Sequence, residues 1–138
     1  MVPGPSRKIF VNLAVKDLGK SVAFFTQLGF TFDPKFTDDQ ATCMIISDEA
    51  FVMLLVESRF KDFIKKDICD ARTHTEVLLA LSAESREQVD ELVNKAFAAG
   101  GAPANDPMDQ GFMYGWSFQD LDGHNWEVIW MDPSAAAQ

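Results

Sequence analysis

The sequence predicts an α+β fold of paired βαβββ modules that form a curved mixed β-sheet cup with helices outside. Two observations carry that expectation. The same order of elements, a strand, a helix and then three strands, runs twice along the chain at a spacing of roughly 65 residues, which reads as an internal duplication. Each half alone buries too little apolar surface to stand by itself, whereas two sheets can curl around a shared space. An ordinary α+β sandwich without a cleft is the competing architecture.

The first copy opens at Ile9–Val15. Ile9, Val11, Leu13 and Val15 fall on one face, and Phe10, Asn12 and Ala14 on the other, which is the parity of a strand with one core face. Asp17 is a helix N-cap, and Leu18, Val22 and Phe25 follow at helical spacing until Gly29. Three strands are expected next, at Thr31–Phe36, Ala41–Ser47 and Ala50–Val56. Ser58–Thr73, rich in Lys and Asp, reads as a linker with a helical turn at Phe60–Ile64. The second copy opens with a strand at Glu76–Leu81. Ser85 and Gln88 then make a capping box. Val89, Leu92, Val93, Ala96 and Phe97 recur at helical spacing up to Gly100-Gly101. Strands follow at Ala102–Ala104, Gly111–Gln119 and Asn125–Met131, the last two joined by a turn at Asp120–Gly123. One domain of two modules, about residues 8–57 and 74–132, is therefore expected within the 138 residues.

Composition narrows the partners. A formal charge of −9 argues against nucleic acid and against anionic membrane surfaces, and it is compatible with a cationic ligand. Twelve Phe and three Trp stand beside a single Tyr, a supply of aromatic area that can fill a core or line a pocket. Cys43 and Cys69 lack metal-site or redox-motif spacing and are expected to be reduced thiols. The N-terminal Met1–Lys8 has no signal-peptide pattern, and no apolar run reaches membrane-span length. A cytoplasmic location is the expectation. Ser117 has no nucleophile-elbow context and the glycines form no phosphate loop.

The stretch NLAVKDLGKSVAFF at Asn12–Phe25, with Leu28-Gly29-Phe30, resembles the opening of a vicinal-oxygen-chelate protein, the group of glyoxalases, bleomycin-resistance proteins and extradiol dioxygenases. FQDLDGHNWEV at Phe118–Val128 resembles its closing hairpin, and the likeness extends from Lys8 to Asp132. The resemblance implies a divalent metal held by His or Glu side chains on inward strand faces, acting as a Lewis acid on substrate oxygens. Glu127 fills the last ligand position. The first falls on Phe10 and the next on Leu54, neither of which offers a lone pair to a hard cation. The position that opens the second half falls on Glu76, with His74 two residues earlier.

A partial metal set of His74, Glu76 and Glu127 is thus one expectation, and no cofactor at all is the other. Each residue also has a plainer reading. Glu127 and Glu76 can be solvated strand carboxylates and His74 a solvated linker histidine, and His124 reads as a surface residue of the turn. Phe10, Asn12, Leu54, Tyr114 and Trp116 are the expected substrate-binding residues, with Glu127 as the catalytic residue if there is chemistry. Two functions compete. One is a lyase or isomerase similar to lactoylglutathione lyase or a dioxygenase relative; Glu127 favours it. The other is a metal-free small-molecule binder similar to the bleomycin-resistance group; Phe10, Leu54, the aromatic surplus and the charge favour it, and it is preferred. The resemblance also implies a homodimer.

Overall fold

A computed structural model of the chain describes residues 6–136. Most of the N-terminal stretch read above for a signal peptide, residues 1–5, lies outside them. The chain divides into two compact units, Met1–Ile68 and Cys69–Gln138.

The first unit runs β1 (Ile9–Val15), α1 (Leu18–Gln27), β2 (Thr31–Asp33), β3 (Ala41–Ile45), β4 (Ala50–Val56) and α2 (Glu57–Lys61). Its sheet has the order β1-β4-β3-β2, with β1 and β4 parallel and the other pairs antiparallel. Asp17 caps α1, its Oδ1 accepting from Lys20 N at 3.0 Å. Leu13, Val15, Phe24, Phe25, Met44, Val52 and Leu54 form the core. β2 is shorter than the sequence predicts. Pro34 has no N–H for the ladder, and the chain turns into a 3-10 helix at Pro34–Phe36, capped by Asp33.

The second unit runs β5 (Leu78–Ala83), α3 (Arg86–Ala98), β6 (Ala102–Pro103), β7 (Met108–Asp109), β8 (Met113–Gln119) and β9 (Asn125–Met131). Its sheet order is β5-β9-β8-β6, and β7 also pairs with β8. This is the path of the first unit with its outer strand broken in two. In both units the first strand lies parallel to the last, as a duplicated βαβββ module requires. Ser85 caps α3 as expected, accepting from Gln88 N, while Gln88 Oε1 accepts from Glu84 N. β5 begins two residues later than expected. The chain before it is held in a turn, with Thr73 N and His74 N both donating to Asp70 O. The α+β class and the paired βαβββ modules are as the sequence predicts.

Candidate functional site

Register decides which side chains share a face. Glu127 pairs with Ala80 across the parallel β5–β9 ladder and with Ser117 across the antiparallel β8–β9 ladder. Directly paired residues point the same way, so Ala80, Ser117, Glu127, Ile129, Gly115 and Met113 form one face. The opposite face carries Tyr114, Trp116, Phe118, Trp126, Val128 and Trp130, and it packs under α3. The Trp116 ring meets Phe97 of α3 edge-on at 5.5 Å. The Tyr114 hydroxyl donates to Asp90 Oδ1 of α3 at 2.6 Å, and that bond, helped by burial, pushes its pKa up to about 12. Arg86 lies over both Tyr114 and Trp130.

The open face holds a recess of about 90 Å³ lined by Asn105, Asp106, Met108, Met113, Ser117, Glu127 and Ile129, with Gly115 and Trp116. Trp116 belongs to the floor by chain position, but its ring is committed to α3, and the register governs where the side chain goes. Ser117 is buried and its Oγ accepts from Asn105 N at 2.8 Å, tying the 105–106 loop to the sheet. The Glu127 carboxylate makes no hydrogen bond or ion pair among the described residues. It is half-buried between two fully buried neighbours, Trp126 and Val128, which fix the strand's parity.

Beside the recess the closing turn is pinned. Asp120 Oδ1 accepts from Asp122 N and His124 N, each at 3.0 Å, and Oδ2 accepts from Trp126 Nε1 at 3.0 Å. Burial pushes the Asp120 carboxyl up, against the opposing pull of His124 and these donors. His124 is not the surface residue that its place in a turn implies. It is only 4% exposed, and its Nδ1 sits 2.8 Å from Glu76 Oε1.

The expected site residues therefore separate. Phe10 and Asn12 lie together on the open face of the first sheet, where Phe10 stacks on its register partner Phe51 at 4.9 Å. Leu54 does not join them. It pairs with Leu13, one residue off in parity, and is fully buried on the opposite face. Tyr114 does not join Glu127, because it faces α3; Trp116 borders the recess, while its ring packs against Phe97 of α3. The three expected metal ligands do not converge either. His74 is exposed in the turn with its Nδ1 2.8 Å from Thr73 Oγ1, Glu76 is taken up by His124, and Glu127 stands on the strand. Among the described residues no group of three or more His, Cys, Asp or Glu side chains is placed to hold a metal ion. The residues missed were Asn105, Asp106, Met108, Met113 and Ile129 around the recess, and Gly115 and Ser117 on its floor. The signal for the last two was the alternation of small and large along MYGWSFQ, which sends the aromatics to the helix and leaves a shallow floor opposite.

Comparison with known proteins places this arrangement. The sequence profile of the Glyoxalase/Bleomycin resistance protein/Dioxygenase superfamily matches residues 9–128. The chain belongs to that superfamily. Among solved structures, the hypothetical protein SA1046 from S. aureus is 31% identical with a TM-score of 0.76, over 91% of this chain and 95% of that one. Lactoylglutathione lyase from Agrobacterium tumefaciens superposes with a TM-score of 0.67 at 17% identity, covering 92% of this chain and 95% of its own. The fosfomycin resistance protein FosX from Listeria monocytogenes gives 0.61 at 23% identity, covering 94% and 91%. No curated protein matches the chain. The last two likenesses speak for the fold alone. No helix among the described residues is long and apolar enough to cross a membrane. Glu127 stands on an open strand face of the second unit, and His74 and Glu76, expected to complete a metal set with it, are hydrogen-bonded to other groups.

Proposed function

We propose that this superfamily member binds a small organic molecule in the Glu127 recess without a complete metal set. One observation carries the reading: a carboxylate without a partner among the described residues stands beside Met108, Met113 and Ile129. A half-buried carboxylate in apolar surroundings gains most from a ligand that brings a cation or a hydrogen-bond donor. Asp106 on the rim adds to the negative field, and the net charge of −9 leaves it uncancelled. A phenylalanine at the first ligand position supports binding over metal chemistry.

The test uses n-butylamine against its neutral analogue n-butanol, followed by NMR of the whole chain. The amine is expected to shift the resonances of Ser117, Glu127 and Ile129 and to bind more tightly than the alcohol. Glu127→Gln keeps the size of the side chain and removes its charge, so amine affinity is expected to drop by about 1–3 kcal/mol. Equal binding of amine and alcohol, or an unchanged affinity in the variant, would sink the proposal.

A lyase or isomerase reading keeps one point in its favour: Glu127 is the recess residue best suited to exchange a proton with a substrate. In that case Glu127→Gln abolishes turnover with the fold intact.

A further inference from the structure

The first unit holds a larger cavity that the Glu127 reading does not use. Directly after β4 the chain folds back as α2 and contacts both β1 and β4. Asp62 N, Phe63 N and Ile64 N continue the turn by bonding to the carbonyls of Arg59, Phe60 and Lys61. Between this segment and the sheet lies a cavity of about 390 Å³ lined by Asn12, Leu55, Phe60, Phe63 and Ile64. That volume falls within the ~300–1,000 Å³ typical of small-molecule pockets. The cleft is open on one side, and a ligand seated there would displace water from its apolar wall.

The lining sets the ligand's chemistry. None of the five residues is titratable, and the nearby Arg59 guanidinium is already paired with Asp62 at 3.1 Å, so the wall offers a charged ligand no free counter-ion. Two phenylalanine rings stand in the wall. Phe63 is 66% exposed, and the Arg59 guanidinium lies over its ring at 4.9 Å, a cation–π contact that steadies it. Asn12 supplies the one polar side chain. Its Nδ2 donates to Phe10 O at 3.2 Å. Only the amide nitrogen can face a carbonyl, so this bond fixes the orientation of the group and leaves Oδ1 as an acceptor with no partner among the described residues.

We infer that this cavity binds a neutral aromatic molecule carrying one N–H or O–H, which donates to Asn12 Oδ1 while its ring packs against Phe60 and Phe63. The inference rests on residues of the first unit alone, so it stands or falls apart from the Glu127 reading.

Indole and indene, nearly identical in shape but differing in the N–H, are the probes, each titrated into the full isotope-labelled chain. The expected result is saturable shifts at the Asn12 side-chain amide and at Phe60, Phe63 and Ile64, with indole binding up to about tenfold more tightly than indene, the scale of one hydrogen bond. Asn12→Leu, a change on an exposed position, is expected to bring the two affinities together. Ile64→Trp, which fills the space from a half-exposed position, is expected to abolish both. The inference is overturned if indole gives no saturable shift, if the shifts fall outside these residues, if indene binds as well as indole, or if either variant leaves binding as it was.

Discussion

Glu127 is positioned by its neighbours rather than by bonds of its own. Trp126 and Val128 are fully buried under α3, and strand alternation then leaves Glu127 no choice of face. The Trp126 indole is in turn held by Asp120, and Asp120 gives a pH signature. Burial raises its folded pKa above the ordinary value of 3.8, so the folded chain keeps this proton to higher pH than the unfolded chain does. The stability tied to that proton is full below the ordinary value and is lost as pH rises through the raised one. Asp120→Asn removes the titration. Melting temperatures of both proteins from pH 4 to neutrality are expected to show the variant gaining on the wild type as pH rises. A difference that stays flat across that window would place the proton elsewhere.

At the scale of elements, legibility followed alternation. β1 declared its faces because Asn12 interrupts an apolar run. β4, AFVMLLV, is apolar throughout, and nothing in it distinguishes Leu54 from its neighbours Met53 and Leu55. A single step of register moved the residue from the open face to the core. On β8 the largest side chains looked like a pocket wall and proved to be the helix-facing core. The turn 120–124 read as an exposed hairpin, because nothing in one sequence reveals that Glu76, 48 residues away, reaches His124. That turn also presses against the chain before β5. Gly123 has φ +90°, and a Cβ there would lie 2.9 Å from the backbone of Ala71 and Arg72. Gly123→Ala combines backbone strain with a clash against main chain. It is expected to cost about 1–3 kcal/mol in urea unfolding. A loss within experimental error would show that the 71–72 segment yields freely.

Over the whole chain, the repeated order of elements was the most legible feature, and the two units reproduce it with one topology. Function was less legible, because it depends on which side chains stay unpartnered, and pairing is set by contacts distant in sequence. Ile9 and Phe10 on the edge strand β1 and Leu78 on the edge strand β5 remain 59%, 48% and 60% exposed, apolar surface of the kind that favours self-association. Sedimentation at high micromolar concentration is expected to find a homodimer, and a monomer alone would argue against it.

The claim that binding here proceeds without a complete metal set meets its most direct test in native mass spectrometry of the purified chain with added Zn²⁺, Ni²⁺ or Mn²⁺. Phe10 cannot ligate, His74 and Glu76 are hydrogen-bonded to Thr73 and His124, and no three-ligand group is placed for a metal among the described residues. The expected spectrum shows no stoichiometric metal adduct at micromolar ion concentrations. One tightly held ion per chain, lost in Glu127→Gln, would contradict the account and restore the metal-dependent enzyme reading.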